Sequence, residues 1–338
     1  MRLGLAAKRP GPRGALGAQQ GPAISHLPAI TTDQPPGKTG PSLAERRTQA
    51  NFGGVTGPQK PKPFLEALVT DLEITPSLTG LCAGFESGRW RALELARHLF
   101  EWLPEFALTA SEYDSFEPHA HGEYLARAAR AVYESDRYEL RGEFGELLLH
   151  AAMRQCFDTV PAVAKVFFKD SANDTVKGFD AVHVVCAPDG TLELWLGEAK
   201  FYGDLGDALT AVAADLRRHT GGEWLRGEFV AIANKIDPTS PHAEGLRDLI
   251  HRNRSLDEIF ARIRLPVLVS YDSAAAVMAT ASDDAYRAQL DSELRKAHAA
   301  LVRKSLPPLA IHLLLVPLAT KAELIRHLDN RLRLYLQL

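Results

Sequence analysis

Between Phe168 and Phe201 the chain reads FKDSANDTVKGFDAVHVVCAPDGTLELWLGEAKF, two apolar runs joined by Pro188-Asp189-Gly190. Runs of that length, closed by a proline-aspartate-glycine turn, predict an antiparallel hairpin with both faces covered. Charged residues stand at its ends: Asp180 opens the first run, and Glu198-Ala199-Lys200 closes the second. Such residues are rarely buried without a partner.

Alternate residues of a strand share a face, so Glu198 and Lys200 extend the face of Leu192, Leu194 and Leu196. Asp180 begins the face that Val182 and Val184 continue. The turn decides whether the two carboxylates meet, because a one-residue slip moves every side chain to the other face. A two-residue Asp189-Gly190 loop sets Asp180 opposite Ala199. A three-residue Pro188-Asp189-Gly190 loop pairs 187 with 191 and sets Asp180 opposite Glu198. The longer loop is expected: Pro188 has no N–H to give a ladder and suits the first position of a type I turn, leaving Gly190 for the left-handed position.

Directly opposed β-carbons lie about 5 Å apart, and two carboxylates that close repel unless a proton or a cation intervenes. A hard divalent ion resolves the repulsion, and Mg²⁺ commonly takes one or two carboxylates while keeping waters; Mn²⁺ is the alternative. Lys200, on the same face, is placed to hold a phosphate oxygen or orient the attacking water. Asp180, Glu198 and Lys200 thus point to metal-assisted phosphodiester hydrolysis. An ordinary ion pair at a sheet's end accounts for the same three residues and stays open at this point.

A third carboxylate is sought on the preceding segment. Arg141 to Cys156 has a helical stripe of Phe144, Leu147, Leu148 and Ala151, flanked by Glu143 and Glu146. Glu146 is the preferred metal ligand and Glu143 its competitor. Lys165, Lys169, Lys177, Arg217 and Arg218 surround the motif as candidate phosphate contacts. His183 faces away from the carboxylates in this register.

Before this region, residues 1–62 form a tail with nine prolines, a tenth following at Pro63, nine basic and two acidic residues, and little to build a core. Disorder is expected there. Its Pro36-Gly37-Lys38-Thr39 lacks the first glycine of a phosphate loop and the strand and helix that loop needs. No methionine falls between Met1 and Met153, so a non-ATG start near Val55 or Val69 is the alternative under which the tail is not translated. The rest, residues 63–338, reads as a single domain with an N-terminal extension over 63–140.

Within it, strands are expected at Leu78–Phe85, Thr159–Lys169, the hairpin, Glu228–Ile236, Pro266–Tyr271 and Ala310–Val316. Helices are expected at Gly88–Leu103, stopped by Pro104, and at Gly122–Tyr133, Arg141–Cys156, Asp207–His219, His242–Arg252, Asp283–Lys304 and from Lys321 on. This order predicts an α/β fold, a mixed central sheet flanked by helices on both faces.

Other classes are disfavoured. Three widely spaced cysteines without a CxxC argue against a disulfide framework and a zinc knuckle and fit a reducing cytoplasm. No run is apolar enough to span a bilayer. There is no GxSxG elbow and no HExxH. The net charge of -3 means that nucleic-acid binding would use a local patch.

RGEFGELLLH, FKDSANDTVKGFDAVHV, LELWLGEAKFY, FVAIANKID, SLDEIF and PVLVSYDS, in this order, resemble the nuclease subunit of the Hachiman antiphage defence system, a PD-(D/E)xK-type protein. The likeness runs from about Arg141 to Pro317. It implies a restriction-endonuclease-like fold, DNase activity and a partner helicase that holds the nuclease in check until phage or damaged DNA is met. Carried over, Asp180 and Glu198 become metal ligands, Lys200 the catalytic lysine and Glu146 the helix carboxylate. The competing expectation is a catalytically silent nucleic-acid-binding or scaffolding subunit of the same fold.

Overall fold

The computed structural model describes residues 60–115, 117–132, 142–164, 178–187, 189–240 and 242–338. Most of the tail expected to be disordered, and Lys165, Lys169 and Lys177, lie outside them.

The first element of the described residues is β1 (Glu66–Asp71), unforeseen in the sequence, which pairs antiparallel with β2 (Ser77–Cys82). A small ribbon of β3 (Phe85–Glu86) and β4 (Arg89–Trp90) follows, turning through Ser87 and Gly88, both at positive φ. Gly88 therefore belongs to a turn and not to the helix expected from it. That helix, α1, covers Ala92–Ala107 and runs past Pro104. A proline inside a helix costs about 3 kcal/mol, but here Trp102, Leu103, Phe106 and Ala107 are all buried beside it. Burial on this scale outweighs one missing hydrogen bond. Leu93, on the outer side of α1, is exposed at 38%.

Next come α2 (His121–Val132), α3 (Glu143–Phe157), β5 (Val160–Pro161), β6 (Ala181–Cys186) and β7 (Leu192–Phe201). Of the strand expected over 159–169, only two residues pair among those described. After β7 the chain forms α4 (Leu205–His219) and α5 (Gly222–Lys235), then β8 (Ile263–Asp272), α6 (Asp284–Val302), β9 (Ala310–Leu318) and α7 (Lys321–Leu336). Short helices at Ala110–Asp114, Ala243–Leu249, Leu256–Phe260 and Ala274–Met278 fill the connections.

The strand expected at 228–236 is thus the second half of α5. Its β-branched and aromatic residues read as strand locally, but Leu225, Glu228, Phe229 and Ile232 are the buried ones, a helical i, i+3, i+4, i+7 set. Val230, which a buried strand would hide, is 58% exposed. Packing against the sheet decided the outcome over local propensity.

Among the described residues, seven strands form one mixed sheet in the order β1-β2-β9-β8-β7-β6-β5. β2, β9, β8 and β7 are mutually parallel, and the flanking pairs are antiparallel. Two hydrophobic cores lie on its two faces. Val182, Leu194, Leu196, Val267 and Val269 face one core, shared with α4, α5 and α6. Ala181, Trp195, Phe201, Leu268 and Leu314 face the other, shared with α1, α2, α3 and α7. The expected α/β class, a mixed sheet between helical layers, is the observed one.

Candidate active site

The hairpin adopts the longer loop. Ala187 donates to Thr191 O at 2.8 Å, Gly190 donates to Ala187 O at 2.9 Å, and Gly190 has φ +81°. A left-handed residue there favours glycine. The ladder runs from Cys186 opposite Leu192 to Ala181 opposite Gly197, the register that the longer loop predicted, and Asp180 and Glu198 are the next residues beyond its end.

Asp180 itself leaves the regular ladder. Its N–H bonds Gly197 O at 2.9 Å, and its Oδ2 accepts the N–H of Ala199 at 2.8 Å. The main chain on both sides of Glu198 is therefore tied to one aspartate. Its side chain replaces the carbonyl that a continuing strand would have offered.

On the face towards α4, Glu198 is only 4% exposed. Lys200 Nζ lies 2.6 Å from Glu198 Oε1 and 2.6 Å from Asp215 Oδ2. His219 Nδ1 stands 3.4 Å from Glu198 Oε2, at ion-pair distance without hydrogen-bond geometry. Two strand residues span about 6.6 Å and four helix residues about 6 Å. Glu198 and Lys200 on β7 can thus meet His219 and Asp215 on α4, which folds back over the strand it follows.

Burial alone would lower the basicity of Lys200, but the Glu198 and Asp215 carboxylates together raise its pKa above the ordinary lysine value. Burial pushes Asp215 up, and Lys200, Arg218 and His219 more than offset this, leaving its carboxyl below the usual range. Arg218 bonds Asp215 Oδ1 at 2.6 Å, whereas Arg217 turns to Lys304 O at 2.9 Å. Of these two candidate phosphate contacts, Arg218 stands beside the cluster and Arg217 is engaged elsewhere.

Asp215 and His219 were missed in the sequence. Their i, i+4 spacing on the crossover helix was visible, but only the right-handed return of that helix onto the sheet brings them to Glu198 and Lys200.

The approach to Asp180 is also held from α5. Glu228 is 2% exposed and accepts the Phe179 N–H. Burial raises its pKa, and among the described residues its Oε2 has no hydrogen-bond partner. The Phe179 ring packs edge-on against His219 and Trp224, both at 5.5 Å, while the His219 and Trp224 rings stack at 4.4 Å. One aromatic group therefore braces both the strand leading to Asp180 and the histidine beside Glu198.

Glu143 and Glu146 occupy the first turn of α3, whose buried residues belong to the opposite core. The structure brings Asp180, Glu198 and Lys200 to one sheet end and starts Glu146 from the other helical layer. Gly145 lies against Phe201, the last residue of β7, so α3 reaches that same end. His183 points to the α3 side as expected, in a buried relay in which its Nε2 is 3.2 Å from His150 Nδ1 and its Nδ1 is 2.7 Å from Thr159 Oγ1. His150 Nε2 and Arg154 Nε both meet Glu105 Oε2, at 3.2 and 2.9 Å.

Among the described residues, no three His, Cys, Asp or Glu side chains gather as a ready metal cluster. The chemistry of the donor set still fits a hard cation that keeps most of its waters: Asp180 and Glu198 offer carboxylate oxygens at adjoining positions of paired strands. Among the described residues no helix is long and apolar enough to cross a membrane.

The family model described as HamA matches residues 62–332 of the chain. No curated protein matches it.

Proposed function

The chain belongs to the HamA family, the protein of the Hachiman antiphage defence system, and from that premise we propose that it is the system's metal-dependent DNA nuclease, controlled by a partner helicase. The observation that carries this reading is the Glu198–Lys200 pair, 2.6 Å apart at the end of β7, with Asp180 bonded to the residue between them. A buried glutamate and a largely covered lysine on one face of a strand cost desolvation energy that a purely structural role does not require.

In this reading Asp180 and Glu198 hold Mg²⁺, or Mn²⁺ in its place, with Glu146 of α3 as the third carboxylate. The bound cation would ease deprotonation of an attacking water and offset the charge that builds on the phosphate. Lys200 holds a phosphate oxygen, and its neighbours Asp215 and Arg218 fix where its ammonium sits. DNA is the substrate, and the protein works in the cytoplasm.

The test uses purified protein on plasmid DNA, with and without the helicase and ATP. Cleavage should depend on divalent metal, stop with EDTA, and be lost in Glu198→Ala/Lys200→Ala. Equal cleavage by that double variant would refute the site.

A second reading, a silent nucleic-acid-binding or scaffolding subunit, is favoured by one observation: Lys200 is already engaged by two carboxylates. DNA binding without cleavage under every metal and partner condition would establish it.

A further inference from the structure

Lys200 has two anionic partners, and the proposed function makes different demands on them. Glu198 is one of the two carboxylates that would hold a cation. Once it does, the oxygen now 2.6 Å from Lys200 Nζ is drawn to a divalent charge, and the ammonium loses half of its support. Asp215 lies on another element. Its Oδ2 is 2.6 Å from Nζ, and its Oδ1 is held at 2.6 Å by Arg218.

The helix that carries Asp215 is itself well anchored. Asp204 caps its start by accepting the Asp207 N–H at 2.8 Å. Ala208, Leu209, Val212, Ala213 and Leu216 bury its inner stripe, and His219, one turn beyond Asp215, is pinned against Trp224. Asp215 is 17% exposed at its side chain and Lys200 13%, so water competes weakly for the pair.

We propose that Asp215 is a positioning residue: it keeps the Lys200 ammonium aimed along the strand end when Glu198 turns to a cation. The inference rests on the nuclease reading for its catalytic consequence and on the α4–β7 geometry for the contact itself. An aspartate in this place trades some of the lysine's attraction for phosphate for a fixed location. That exchange favours turnover over raw binding, since a catalytic group displaced by about 1 Å can cost on the order of a hundredfold in rate.

Two measurements decide it. In the full protein with its helicase, ATP and Mg²⁺, Asp215→Asn and Asp215→Ala should lower kcat about 10- to 100-fold with KM for DNA changed less than about 3-fold, and Asp215→Glu should recover part of the loss. Structures of wild type and Asp215→Asn with Mg²⁺ bound should show Nζ remaining on Asp215 in the first and leaving its place in the second. Unchanged or increased kcat in Asp215→Asn would overturn the proposal, as would a loss matched by a rise in KM or by unfolding. If wild type never cleaves, the nuclease reading fails, and the Mg²⁺ structures still decide the contact: an ammonium that stays on Glu198 and abandons Asp215 refutes it.

Discussion

Asp180 Oδ2 accepts the main-chain N–H of Ala199 at 2.8 Å, so the aspartate of the site also serves as the last rung of its hairpin. A carboxylate held in this way has a structural duty and, in the proposed function, a chemical one. Conservative substitution can separate them.

Asp180→Asn keeps an oxygen able to accept from Ala199 and loses the charge. It should unfold within about 0.5 kcal/mol of wild type and lose DNA cleavage. Asp180→Ala removes the acceptor as well and should lose a further 1–2 kcal/mol or so, the cost of leaving a part-buried donor unpaired. Urea unfolding of both variants, set beside plasmid cleavage, is the check; an active Asp180→Asn would leave the residue a purely structural role.

Gly145 of α3 and Phe201 of β7 touch so closely that a β-carbon added at 145 would lie 2.8 Å from the Phe201 β-carbon. Neither partner is a flexible chain end, so helix and strand must part. Gly145→Ala should cost about 1–3 kcal/mol, as overpacking does, and lower Tm by several degrees despite alanine's better helix propensity. A Tm equal to wild type would mean that α3 does not pack this tightly.

Gly178 faces a different obstacle, since an added β-carbon would lie 2.2 Å from Glu228 Oε1. Gly178→Ala should therefore destabilise the protein, and Glu228→Ala should do so separately by freeing the Phe179 N–H. Together the two should cost less than the sum, because the second removes the group the first collides with. A double-mutant cycle measures this, and strict additivity within about 0.3 kcal/mol would contradict the contact.

Acid should weaken the fold through its buried histidines. Burial lowers His98 from 6.5 to about 4, and burial together with Arg264 lowers His312 to about 4. His98 Nε2 accepts the Trp102 indole N–H at 3.0 Å, which only an unprotonated nitrogen can do. A histidine whose folded pKa is depressed contributes stability above its unfolded value, lost as pH falls through its folded value. The loss should therefore begin near pH 6.5 and continue to about 4, roughly 3 kcal/mol for His98 alone at about 1.4 kcal/mol per pH unit. Glu105, held down to about 2 by His150 and Arg154 against the opposing effect of its burial, adds its own loss only below about 4.5. Denaturation midpoints from pH 8 to 4 read this directly, and a flat profile between 7 and 5 would refute it.

Much of the site was legible in the chain because it depends on short-range rules. The Pro-Asp-Gly turn sets the register, period-two alternation puts Glu198 and Lys200 on the face of Leu194 and Leu196, and both follow from local geometry. The errors came where local and tertiary preferences conflict. Residues 228–236 read as strand until the sheet face selected a helical stripe, and Pro104 read as a stop until the surrounding core held the helix through it. β1 was missed because Glu66, Thr70 and Asp71 give an edge strand too polar to stand out.

By itself the sequence determined the class of fold, the hairpin and its register, and the likeness that the HamA match over residues 62–332 supports. Only the tertiary structure decided what surrounds Lys200. Asp215 and His219 reach the site because the crossover helix folds back over β7, placing Asp215 beside Lys200 and His219 beside Glu198. Periodicity reports which face a residue occupies, and it carries no information about which residues of another element will meet it there.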